Sequence, residues 1–270
     1  MALNNPAFSR NEAFSNQGAV AVAQDMSAQQ LQDIYNRPAT LPDREVMTVE
    51  DTIQKSAAAF GLLVVGAAIG WITMQSIPFL WIGAGIVGFV LALVNIFKKE
   101  PSPGLVLAYS AVQGVFVGGI SAYYEVMFPG VVAPAVIATL AVVGVTLALF
   151  ASGKIRASKR ATKVFLIAMV GYLVFSLVNF GLMIFNVTDD PFGLRSWDGF
   201  FGIPLGVILG VFVVIMAAYS LVLDFDFIQQ GVRNRAPKKY AWTGVFGIMV
   251  TVIWLYLEIL RMLAIMQSSD

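Results

Sequence analysis

A few acidic side chains lie where the chain is otherwise apolar, and they carry most of the chemistry available to it. Asp224 and Asp226 close one apolar run, LVLDFDFIQQG. Glu258 sits inside another, IWLYLEILRML, with Arg261 three residues on, and Glu125 ends a third, SAYYEV. A charged side chain at the centre of a bilayer costs about 2.5–3.5 kcal/mol on insertion scales, so one kept there marks an ion or proton path by default. The chain has neither His nor Cys. Disulfides, thiolate metal sites and cysteine nucleophiles are excluded, and any response to pH near neutrality falls to carboxylates.

Helical geometry sorts these acids. Asp224 and Asp226, two residues apart, point about 200° from each other. Asp224 is the candidate for a buried site. Asp226, nearer the helix end, reads as a mouth or capping residue within reach of Gln229 and Gln230 at i+3 and i+4. Glu258 has two candidate partners. One is Arg261 on its own helix face, which neutralises both charges. The other is Asp224 or Asp226 across a helix interface. Two carboxylates that meet cannot both ionise cheaply; they share a proton and latch two helices together. If Glu258 does meet Asp224 or Asp226, full ionisation breaks that latch and creates a hard oxygen site suited to Ca²⁺, Asp224 and Glu258 being its candidate ligands. Glu125 follows Tyr123 and Tyr124 and is expected at the membrane interface, lining an outer vestibule.

The elements that position these residues follow from composition. Hydrophobic residues make up 58% of the 270, and charged residues only 12%, about half the usual share for a soluble domain; mean hydropathy is +0.78. Charge-free stretches predict seven spans, over 57–76, 79–97, 104–126, 131–152, 164–185, 203–224 and 241–265. The expected fold is an all-α membrane protein, a seven-helix bundle over 53–267 behind a polar, largely disordered tail over 1–52. Within that tail one short helix is expected at Ala28–Tyr35, and nothing in it reads as a cleavable leader. Lys98 and Lys99, then Lys154, Arg156, Lys159, Arg160 and Lys163, then Arg233, Arg235, Lys238 and Lys239 all fall in alternate loops; the opposite loops hold only Arg195. The positive-inside rule therefore places the N-terminus in the cytoplasm and the C-terminus outside. The outer loop 185–202 carries Asp189, Asp190 and Asp198 and is expected to be solvated. The spacings Gly66/Gly70 and Gly114/Gly118 suit close helix packing. A net charge of +1 gives no case for nucleic acid as a partner.

The chain resembles the Bax inhibitor-1/YccA family, also called the transmembrane Bax inhibitor motif family, over about residues 50–266. The resemblance rests on Asp224 in LVLDFDFI near the end of span 6 and on Leu255-Tyr256-Leu257-Glu258 in span 7; MTVEDTIQK and DFDFIQQGVRN are similar to a bacterial branch. It implies a bundle with the last helix at its centre, located in a bacterial inner membrane. It also implies a proton-sensitive Ca²⁺ leak gated by the acids at 224 and 258, with Ca²⁺ and H⁺ as the moving ions and no resident cofactor. This chain departs from that pattern in having Glu rather than Asp at 258. It also lacks, within 79–97, the arginine associated with the family's latch; Arg261 is a candidate for a related role.

Enzyme readings fail on residue inventory. An intramembrane aspartyl protease needs a Gly-x-Gly-Asp setting, a rhomboid-like protease needs His, and a retinal-binding protein needs a lysine inside the last span; none is present. The remaining rival is an interaction protein that modulates a membrane protease or a stress response.

Overall fold

The computed structural model describes residues 46–268, apart from 189, 198, 200 and 201; the expected helix at 28–35 lies outside them. The described chain forms α1 (Val49–Thr73), α2 (Leu80–Phe97), α3 (Pro103–Met127), α4 (Val132–Ala151), α5 (Lys159–Ile184), α6 (Leu205–Arg233) and α7 (Ala241–Ser268), with short 3₁₀ turns at Gly193–Ser196 and Lys238–Tyr240. Seven helices are long and apolar enough to cross a membrane. The chain is thus an all-helical, multi-pass membrane protein, as its composition dictates.

Three helices overrun their predicted spans by more than a turn, each by polar turns that stabilise a helix without being apolar; α5 starts at Lys159, where the Ser158 Oγ accepts from the Ala161 N–H at 3.2 Å. α1 starts at Val49 because Thr48 caps it: the Thr48 Oγ1 accepts from the Asp51 backbone N–H at 3.1 Å, with Glu50 and Asp51 in the first turn. α6 runs on past Asp224 for more than two turns. There Gln230 Nε2 donates to Asp226 at 2.6 Å and Arg233 Nη2 to Gln229 at 2.9 Å, both at i,i+4.

Close backbone approach joins α1 to α3 in parallel. A Cβ at Gly66 would lie 2.3 Å from the Ala111 carbonyl oxygen, and one at Gly118 would lie 1.9 Å from that of Ala67. The two small-residue motifs thus face each other, and only hydrogen fits at these positions. α7 packs against α1, α3, α4 and α6. In its apolar window 61% of residues are buried, against 6% in α2 and in α5; the last helix is the centre of the bundle. α6 lies antiparallel to α7, with Gly206 against Ile265, Gly210 against Met262 and Gly244 against Ile228.

Before α1, the chain is pinned beneath the α6–α7 pair. Val46 bridges Pro237, the Met47 N–H donates to the Ala236 carbonyl at 2.8 Å, and the Met47 side chain, 2% exposed, packs with Ile228, Ala236 and Ala241. Gly231 leaves room for its sulfur, which a Cβ there would approach to 2.8 Å. All the basic loops fall at this end of the bundle, and Lys239 Nζ bonds Glu100 at 2.8 Å across two of them. That contact holds the exposed Glu100 carboxyl below its ordinary range.

Two separate carboxylate sites in the membrane

The acids at 224 and 258 reside on α6 and α7, but they do not meet. Asp224 reaches α7 about three turns in: Thr251 Oγ1 donates to Asp224 Oδ2 at 2.7 Å, and Ser220 Oγ lies 3.3 Å from the same hydroxyl. Gly247, one turn earlier, makes room for the carboxylate, since a Cβ there would stand 2.7 Å from Asp224 Oδ1. Thr251 and Glu258 are seven residues apart, about 10 Å along the helix. The antiparallel register of α6 and α7 therefore sets the two acids at different depths. Among the described residues no basic side chain forms an ion pair with Asp224.

Glu258 is 3% exposed and surrounded by donors. Arg261 Nη1 donates to its Oε1 at 2.9 Å, the local i,i+3 pair. Tyr172 of α5 donates a short hydrogen bond to the same oxygen, and Arg195 Nη1 lies 3.4 Å from Oε2. Arg195 Nη2 also reaches the Tyr172 hydroxyl at 2.7 Å and Ser176 at 3.4 Å, and its guanidinium lies over the rings of Tyr172 and Phe175. Among the described residues the cluster thus holds two guanidinium groups and one carboxylate, an excess of one positive charge.

Arg195 is the residue that sequence reasoning did not find. It belongs to the loop expected to be solvated, yet it is 3% exposed. The loop folds inward because Asn179 of α5 holds it at two points: Nδ2 donates to the Phe192 carbonyl at 3.2 Å and Oδ1 accepts from the Leu194 N–H at 2.7 Å. Gly193 makes the turn with φ +61, and a Cβ there would lie 2.5 Å from Asn179 Oδ1. Asp190 serves the same turn, accepting from the Phe192 N–H at 2.8 Å and from Ser196; Asp189 and Asp198 lie outside the described residues. The one signal in the sequence was that Arg195 stood alone among basic residues on its side of the bundle.

The other candidates have different surroundings. Asp226 stays at the helix flank with Gln230. Both oxygens of Glu125 bind backbone N–H groups at the start of α4, Gly130 at 2.7 Å and Val132 at 3.2 Å. That is a cap on a helix N-terminus, and it ties α3 to α4. Among the described residues no three acidic side chains converge as a metal site, and Asp224 and Glu258 are not placed to share one ion.

Asp224 on the penultimate helix and the Tyr-Leu-Glu of a central last helix are now fixed in three dimensions, and a sequence model described as Bax inhibitor 1 like matches residues 5–268. The chain belongs to the Bax inhibitor 1-like family. No curated protein matches it. Within this family member the two membrane-embedded acids occupy unlike settings: one meets a neutral hydroxyl, the other is neutralised by arginine.

Proposed function

We propose that this protein is a proton-sensitive cation leak, with Ca²⁺ as the ion, in which Asp224 is the titrating ion-binding group and the Glu258 cluster is the closed gate. In this reading the basic end faces the cytoplasm. The observation that carries it is that Asp224, inside a transmembrane pair of helices, has a hydroxyl as its partner and, among the described residues, no basic side chain paired with it. A carboxylate in that setting exchanges a proton for a metal ion readily, and the carboxylate with the Thr251 hydroxyl is a start on the oxygen set that Ca²⁺ takes. Beyond it, Arg195 and Arg261 present net positive charge at the far side, an electrostatic barrier to cations of the kind used in other pores. Conduction then requires the Arg195 loop to withdraw from Glu258.

Ca²⁺ flux into liposomes containing the full chain, measured against pH, tests this. Asp224→Asn is expected to remove the pH dependence, and Glu258→Gln to alter the closed level. Flux absent at every pH, or unchanged in both variants, would sink the proposal. Loss of a cellular phenotype on deleting residues 1–45, with both acid variants tolerated, would favour an interaction protein instead.

A further inference from the structure

A cleft of about 400 Å³ opens between α1 and α4, with α3 and α7 as its floor. On α1 it runs from Phe60 to Trp71, and on α4 from Val132 to Leu140, lengths of about 16 and 12 Å. Half of a ~30 Å hydrocarbon core is about 15 Å, so the cleft is as long as one leaflet is deep. Its walls continue into side chains that face the bilayer: Val64, Val136 and Leu140 are among the exposed apolar residues.

Apart from the indole N–H of the exposed Trp71, the lining offers water little to hold. It has three hydroxyls, and each is used within the protein. Ser121 Oγ and Tyr256 Oη lie 2.6 Å apart, Ser121 also bonds the Val117 carbonyl, and Thr139 Oγ1 donates to the Ala135 carbonyl at 2.7 Å. A buried water needs two to four free polar partners, so a purely apolar occupant fits. The volume corresponds to roughly a dozen water-sized or methylene-sized units. Trp71 lines the cleft two residues before the end of α1, where an interfacial ring marks headgroup depth. We propose that the cleft between α1 and α4 is a binding site for one acyl chain of a membrane lipid, inserted from the leaflet at the end of the bundle opposite the basic loops. The outer part of the cleft, level with Trp71, is bounded by Tyr256, two residues before Glu258 on α7, so the site is independent of the leak reading yet adjacent to its gate.

The experiment uses the full protein in phosphatidylcholine nanodiscs doped with a phospholipid that carries a diazirine near the end of one acyl chain, and maps adducts by mass spectrometry. Expected is at least a threefold enrichment of adducts on Val64, Ala68, Val136 and Leu140 over the equally lipid-facing Val170 and Leu173 of α5. Ala68→Phe with Val136→Phe fills the cleft and should abolish that enrichment while leaving α5 labelling unchanged. Even labelling of both surfaces, or enrichment that persists in the filled variant, overturns the proposal. So does disulfide-linked dimer formation in Val136→Cys, which would make the occupant a second copy. The native chain has no Cys to confuse that readout.

Discussion

The Glu258 cluster makes an unusual prediction about which member can be removed. In Glu258→Gln two guanidinium groups stay close to a neutral amide that can no longer compensate either. Breaking a buried pair this way costs about 3–5 kcal/mol. Arg261 retains 31% side-chain exposure and water relieves part of its charge, so we expect about 3 kcal/mol. In Arg195→Met the apolar stem is kept, and Glu258 retains Arg261 at 2.9 Å and the Tyr172 hydroxyl, leaving a balanced pair. What is lost is two long 3.4 Å contacts, to Glu258 and Ser176, the 2.7 Å bond to Tyr172 and the guanidinium's place over the Tyr172 and Phe175 rings; relief of the uncompensated buried charge offsets part of this, leaving about 1–2 kcal/mol. The double variant leaves only Arg261, the partly solvated charge. It should therefore be more stable than Glu258→Gln alone by about 1 kcal/mol. Equilibrium denaturation in detergent micelles, run as a double-mutant cycle, measures this directly. If Glu258→Gln costs no more than Arg195→Met, or if the two effects add within about 0.5 kcal/mol, the reasoning that places Glu258 between two cations is wrong.

Other expectations follow from single contacts. Gly247→Ala should displace the Asp224 carboxylate, whose Oδ1 lies 2.7 Å from the new methyl, and so shift the pH midpoint of Ca²⁺ flux while leaving the protein folded; an unchanged midpoint counts against Asp224 as the titrating group. Gly118→Leu drives a side chain into the Ala67 carbonyl and should cost well over about 3 kcal/mol, read as loss of monodisperse protein in detergent. Met47→Ala empties a fully buried pocket under α6 and α7 and should destabilise by about 2–4 kcal/mol, with faster proteolysis near residue 46 as the check. Glu100, held low by Lys239, contributes only above its ordinary titration range, and that contribution fades as pH falls through the lowered value; Glu100→Gln should therefore flatten the acid limb of stability slightly, and added salt should erase the difference.

Much of this protein was legible as text. In a bilayer every backbone polar group must be satisfied within the segment, so apolar length alone gives the helices and their number, and the lysines and arginines mark one end of the bundle. Glycine spacing marked α1 and α3 as close-packing helices, but that they pack on each other came only from the structure. The pairing of Glu258 with Arg261 was available from i,i+3 geometry as one of two options. The sequence alone did not choose between them: whether Asp224 and Glu258 meet depends on the register of two antiparallel helices, which Gly206, Gly210 and Gly244 set through contacts with residues far along the chain. Nor did it place Arg195. A loop that bends inward is stabilised by Asn179 and by the aromatic faces of α5, and those partners become neighbours only once the bundle has assembled.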